Sequence, residues 1–532
     1  MFRFHKRDTS TASNTSNPPQ YATWGPNTHH GEQTSSPEDE RFNFTCLEDV
    51  IPENHDHRTI VLCFDGTGDQ FDDDNSNVVN FFSMLKKDDC KQQLVYYQAG
   101  IGTYTIPQIA RPLMAKMKKV LDMMIGIHLD AHVMSGYEFL MQNYEAGDKI
   151  CIFGFSRGAY TARALAGMIH KVGLLPRCNH NQVPFAYKMY SREDELGWKQ
   201  SGAFKQAFSI DVDIEFLGVW DTVGSVGVIP KRLPFTTSNT HVRYFRHAIA
   251  LDEHRARFQP NFWHRQTAAE KRLGLPPGSM PRSRPKKKES QKAKEEDDKP
   301  HTERKKSLKE LERQYSGDGE CVTDVEEVWF AGCHADVGGG SVVNDTRNSL
   351  ARIPLRWMVR QCFLAKTGIM FHRDMLRLIG MEPDTLYPQV KRRPPAVTKA
   401  PTTIVSPTGT CKDSFRPKHR HSVFEEGFTN EEDEDLKDAH SKVYDMLKIK
   451  RGWWILEVFP HKLKFQRDED DNWVQTLEWA NLGKARRIPH QKNGIKVHRT
   501  VKLRMDAEAE ALKLKKKYVP KAKFEVEPIW VD

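Results

Sequence analysis

A serine set between glycines carries the most chemistry in this chain. Gly154-Phe155-Ser156-Arg157-Gly158 follows the short apolar run Lys149-Ile150-Cys151-Ile152-Phe153 and precedes Ala159–Gly167, an alanine-rich stretch with helical spacing. A strand that turns sharply into a helix lifts a hydroxyl clear of a sheet. Flanking glycines remove side chains that would clash there, and the helix start offers backbone N–H groups to a developing oxyanion. Ser156 is therefore the candidate nucleophile. A serine nucleophile needs a base to take its proton and a carboxylate to orient that base. Asp221, closing Asp213–Trp220, and His334, closing Glu327–Gly332, follow it in the chain order Ser, acid, His.

Each partner has a competitor. Asp221 also suits the cap of a turn. His247, in Arg246-His247-Ala248-Ile249-Ala250-Leu251-Asp252-Glu253, is the alternative base, with His498 behind it. Asp65-Gly66-Thr67-Gly68 closes the run Thr59–Phe64, so Gly66 and Thr67 are candidates for an oxyanion donor beside the N–H of Arg157. Asp65 and Asp336 are supporting candidates; as an ordinary turn, Asp65 would bond its own loop. Together with Asp221 and His334 they also outline a metal-dependent phosphoesterase. No ligand spacing such as H-E-x-x-H supports a metal, so none is expected, nor is a cofactor. Asp72-Asp73-Asp74 reads as a solvated loop.

These residues need a sheet to position them. Apolar runs at Thr59–Phe64, Leu94–Tyr97, Lys149–Phe153, Asp213–Trp220 and Glu327–Gly332 read as strands, with a long helical pattern from about Lys116 to Tyr144. Four of the strands end in Asp, Ser, Asp and His beside glycines. Ligand crevices in open α/β sheets lie at the carboxyl ends of strands, so the four ends imply one shared crevice. The expected fold is α/β-hydrolase-like: a mostly parallel sheet with helices on both faces, disordered insertions and a C-terminal extension.

The chain has 532 residues, 38% hydrophobic and 28% charged, and a net charge of +9 from 80 basic and 71 acidic residues. So small an imbalance does not call for nucleic acid. The nine cysteines form no C-x-x-C pair, and several sit in apolar runs, as reduced buried thiols do. The N-terminal residues do not read as a secretory signal, and no run reaches the roughly 18 apolar residues of a membrane span. The expectation is a cytoplasmic protein, or a nuclear one if Pro285-Lys286-Lys287-Lys288 is an address. The expected layout is a disordered tail at 1–53, a catalytic domain at 54–393 with a disordered charged insertion at 265–316, a disordered linker at 394–440, and a C-terminal region at 441–532 packing on the catalytic domain.

The segments G-F-S-R-G-A-Y-T-A-R, F-D-G-T-G, Y-Y-Q-A-G-I-G-T, V-W-D-T-V-G-S-V-G, A-L-D-E-H-R-A-R-F and H-A-D-V-G-G-G together resemble the uncharacterised α/β-hydrolase domain shared with type VI secretion phospholipase effectors. The likeness runs from about Arg58 to Cys362, skipping the charged insertion, and the insertions and long tails look like a fungal member. It implies a serine esterase or lipase with Ser156 as nucleophile, an ester or lipid substrate, and peripheral contact with a membrane surface. Oligomeric state is left open. A hydrolase-fold scaffold without catalysis, binding a protein or an anionic surface, is the alternative from another class.

Overall fold

Alternation of apolar side chains within each strand builds two cores on one sheet. In Thr59–Phe64 (β2), Val61 and Cys63 join one buried cluster, while Ile60, Leu62 and Phe64 join another. The first cluster takes in residues of the helix Arg352–Leu364; the second packs under the helices Leu129–Asn143 and Ser156–Val172. This is a three-layer α/β fold, which buries both faces of a parallel sheet. The computed structural model describes residues 49–53, 57–67, 69–100, 129–192, 194–224, 233–236, 241–263, 323–398, 430–466, 473–489, 491 and 494–532.

The sheet has eight strands, all paired in parallel. In chain order they are β2, β3 (Gln93–Gln98), β4 (Lys149–Phe155), β5 (Ile214–Trp220), β6 (Val242–Ala250), β7 (Asp324–Phe330), β11 (Lys496–His498) and β12 (Ile529–Val531). In space they run β12-β11-β7-β6-β5-β4-β2-β3. The chain moves outward from β2 to β3, then crosses to the other side of β2 to lay down β4. The direction reverses between β2 and β4, and the crevice at such a switch point is where α/β sheets bind ligands. Two short antiparallel pairs complete the strands: β1 (Val50–Ile51) with β8 (Phe371–His372), and the hairpin of β9 (His461–Gln466) and β10 (Trp473–Glu478).

Several expectations change. β6 does not read as a strand because Arg243, Arg246 and His247 interrupt its apolar run. It is buried nonetheless, since Arg246 finds Gln361 at 2.7 Å and Asp324 at 2.9 Å. The C-terminal region does more than pack on the catalytic domain, because it supplies β11 and β12 to the same sheet. The tail expected at 1–53 ends in β1, and the linker expected at 394–440 ends in a helix, Glu431–Ala439. The acids of that helix are buried against Arg352, Arg356, Arg360 and Arg393. Residues 1–48, 265–316 and 399–429, where disorder is expected from the sequence, lie outside the described residues, as does the helical pattern before Leu129. Among the described residues, no helix is long and apolar enough to cross a membrane.

Candidate active site

Ser156 stands at the end of β4 and begins the helix Ser156–Val172 with a φ of +58°. That left-handed backbone is strained for a serine, and the neighbouring glycines make room for it. A Cβ on Gly158 would lie 2.3 Å from the carbonyl oxygens of Phe64 and Asp65, so the helix start sits against the end of β2. Asp221, just past β5, also has a positive φ of +38°. His334 starts the short helix Cys-capped at Cys333, beyond β7. A Cβ on Gly338 of that helix would overlap the Phe155 ring, which fixes why glycine follows there.

These three residues meet. His334 Nε2 lies 2.8 Å from Ser156 Oγ, and His334 Nδ1 lies 2.5 Å from Asp221 Oδ2. A carboxylate only accepts, so Nδ1–H donates to Asp221 and Nε2 accepts from the serine hydroxyl. Ser156 and His334 are each 6% exposed, and Asp221 is fully buried. Burial pushes the His334 pKa below its ordinary value of 6.5, outweighing the hydrogen bond and charge of Asp221, which pull it up. The imidazole is therefore held neutral and able to take a proton. For Asp221, burial raises the pKa, but Arg486 and then His334 outweigh it and hold the group well below the carboxylate range.

Arg486 is the residue that reading along the chain misses. Its Nη1 donates to Asp221 Oδ1 at 2.6 Å and its Nη2 to Asp221 Oδ2 at 2.9 Å, with further bonds to the carbonyls of Ala250 and Phe258. It sits in Lys484-Ala485-Arg486-Arg487, a basic stretch that looks like solvated surface. No spacing or motif there points to a carboxylate 265 positions away. Glu253 is a second omission. Its Oε2 accepts the His334 N–H at 3.2 Å, and Arg255 neutralises it at 2.8 Å. The Phe155 and Phe258 rings flank the imidazole, with centroids 4.7 and 4.9 Å away.

The other candidates have different partners. His247 lies inside β6, where Nδ1 faces Glu327 at 2.9 Å and Nε2 accepts the Thr222 N–H at 3.1 Å. Nε2 holds the loop after β5 and Nδ1 faces a carboxylate of β7, so both nitrogens are occupied away from Ser156. His498 caps the helix Arg499–Asp506. Asp65 accepts from Ser76 Oγ at 2.6 Å, Gly66 N–H at 2.8 Å and Tyr97 Oη–H at 2.7 Å, so it orders its own loop. That bond also occupies the Gly66 N–H as an oxyanion donor, whereas the Thr67 hydroxyl is buried with no hydrogen-bond partner. Asp336 accepts the N–H groups of Cys333 and Tyr444 at 2.8 and 3.0 Å. Among the described residues, no three His, Cys, Asp or Glu side chains gather as metal ligands. Arg157 makes no ion pair among the described residues; its Nη1 is buried without a partner, and burial brings its pKa down to about 10.

Residues 58–361 match the family described as T6SS, Phospholipase effector Tle1-like, catalytic domain. The uncharacterized protein YEL023C of Saccharomyces cerevisiae is 28% identical over 546 residues, covering 83% of this chain and 78% of its own. Two solved structures are similar. An uncharacterized protein from Pseudomonas aeruginosa has 18% identity and a TM-score of 0.30, covering 62% of this chain and 48% of its own. The Tle1 effector bound to the VgrG spike from the Type 6 secretion system has 16% identity and a TM-score of 0.25, covering 53% and 51%. This chain spans about half the length of those two proteins. The family match holds Ser156, Asp221 and His334, while Arg486 lies beyond it. On that match, which takes in more than half of the sequence, the chain belongs to the family of Tle1-like phospholipase catalytic domains.

Proposed function

We propose that this protein is a serine hydrolase that cleaves carboxylic esters of lipids, with phospholipids as the favoured class. The observation that carries the reading is the unbroken hydrogen-bond chain from Ser156 Oγ through His334 to Asp221. Ser156 Oγ attacks the ester carbonyl carbon as its proton passes to His334 Nε2. Asp221 stabilises the imidazolium through Nδ1. The carbonyl oxygen becomes an oxyanion, held by the backbone N–H groups of Arg157 and Thr67; the first helical turn has N–H groups with no intrahelical acceptor. Losing one such donor costs roughly 3 kcal/mol of barrier. The intermediate collapses, the alcohol leaves with the proton from His334, and water, activated by the same imidazole, releases the acyl group from the serine.

Two features support a phospholipid over a neutral ester. The family is named for a phospholipase domain. The guanidinium of Arg157, one residue from the nucleophile and without an acidic partner among the described residues, suits a phosphate near the scissile ester. The test is a panel of phospholipids, acylglycerols and soluble short-chain esters, assayed with the parent protein and Ser156→Ala. Turnover falls roughly 10⁴-fold or more in the variant, with circular dichroism unchanged. Ester hydrolysis retained by Ser156→Ala refutes the assignment.

A further inference from the structure

Beside the site lies a face that water does not favour. Trp454, Ile455, Val458, Phe459, Trp479 and Leu482 are between 42% and 77% exposed. A single exposed apolar side chain is ordinary, but a run of them that includes two tryptophans marks a contact surface. They are neighbours in space. The Asn481 and Leu482 N–H groups donate to the Glu457 carbonyl at 2.9 and 3.3 Å, and the Trp454 ring lies 3.4 Å from where a Gly483 Cβ would be. The hairpin leaves just after Phe459 and returns at Trp479, with His461 paired to Glu478.

The face is joined to the catalytic centre. Trp453, next to Trp454, has its ring 5.5 Å from Phe258, whose ring is 4.9 Å from that of His334. Arg255 lies over both Phe258 and Trp453, at 3.4 and 4.8 Å. Arg486, four residues past Leu482, grips Asp221. Glu478 beside Trp479 is paired with Lys484 at 3.2 Å, and the unpaired charges on the face among the described residues are basic. Lys450 and Arg451 are exposed with no acidic partner among the described residues, whereas Glu457 is buried on the N–H groups of Ala256 and Gly483 and on the Asn481 amide.

We propose that this face docks the enzyme onto a phospholipid surface. Trp454, Ile455, Phe459, Trp479 and Leu482 enter the boundary between headgroups and acyl chains, and Lys450 and Arg451 meet lipid phosphates. Tryptophan and branched aliphatic tips with a basic rim are the composition that partitions into that boundary. The inference rests on the lipid-ester reading for its partner: a substrate held in a bilayer reaches Ser156 only if the catalytic site is brought to the lipid surface.

The test uses the full chain with Ser156→Ala, sedimented with vesicles of phosphatidylcholine, alone or mixed with phosphatidylserine. The protein pellets with vesicles, and preference for phosphatidylserine assigns part of the binding to the cations. Adding Ile455→Glu and Trp479→Glu lowers partitioning at least about tenfold. The same two substitutions in the otherwise unaltered protein leave hydrolysis of a soluble short-chain ester within about twofold. If they abolish that hydrolysis, the conservative Trp479→Phe replaces them. It loses part of the tryptophan quenching by vesicles with brominated acyl chains, and undiminished quenching overturns the proposal. Unchanged partitioning of the double variant overturns it, as do failure to bind either vesicle and a dimer in light scattering that the double variant dissolves. Vesicle binding without any ester hydrolysis leaves the docking face standing and refutes the hydrolase. Soluble-ester hydrolysis without vesicle binding does the reverse.

Discussion

A guanidinium and a neutral imidazole share the carboxylate of Asp221, and that sharing sets the chemistry. Arg486 takes both oxygens while His334 takes one. Burial disfavours the charged ring and Arg255 adds to that, against the pull of Asp221; a guanidinium on the same carboxylate also weakens the counter-charge that an imidazolium would meet. His334 must be neutral to accept the serine proton, so kcat/KM rises with pH through a midpoint below 6.5. Arg486→Gln removes the competing charge, and the midpoint moves upward; a midpoint that stays put contradicts this account. Asp221→Asn lowers kcat roughly 10⁴-fold, because the amide no longer fixes the ring with Nδ1–H toward it. Arg157→Gln lowers kcat/KM more for an anionic phospholipid than for a neutral acylglycerol, measured as a ratio on mixed micelles; an unchanged ratio removes the phosphate contact. Ser156, Asp221 and His334 could be picked from sequence because each ends an apolar strand beside a bend. Arg486 could not, since a basic side chain in a basic stretch carries no sign of the buried carboxylate it will meet.

The strands and bends explain how these atoms come together. β2, β3, β4 and β5 follow continuous apolar runs, and their ends fall within one or two residues of the sequence reading. β6 hides because its polar residues are satisfied only by distant partners, which a single stretch of sequence does not contain. The bend after β7 depends on Asp336, which holds the N–H groups of Cys333 and Tyr444 around the base. Burial raises its pKa to about 7. A folded-state pKa above the ordinary 3.8 gives stability that is complete below that value and lost as pH rises toward about 7. Asp336→Asn keeps an acceptor without the charge. The variant's stability relative to the parent therefore grows between about pH 4 and 7 and then levels off, read from denaturant melts across that range. Parallel curves contradict it.

At the largest scale, residues far apart in sequence close the sheet and its site within Leu47–Asp532. β11 and β12 extend the sheet beyond β7, the strand that carries His334 at its end. The helix Glu431–Ala439 is locked on the helix Arg352–Leu364 by Arg356 with Asp435 and Asp438, at 2.6 and 2.7 Å, all buried. An acidic run and scattered arginines look like solvated surface when read in order, because nothing local says they will neutralise each other. Arg356→Ala leaves Asp435 with Arg393 and Asp438 with Arg352 but removes the guanidinium that joins the two carboxylates, and costs about 3 kcal/mol in global unfolding. A loss under about 1 kcal/mol would mean that water reaches the pair. The most direct measurement of the whole account is the reaction of a fluorophosphonate with the full chain, with the adduct located by peptide mass spectrometry. The account predicts one rapid adduct, on Ser156, slowed by orders of magnitude in His334→Ala. No adduct on Ser156, or the same rate without the imidazole, would contradict it.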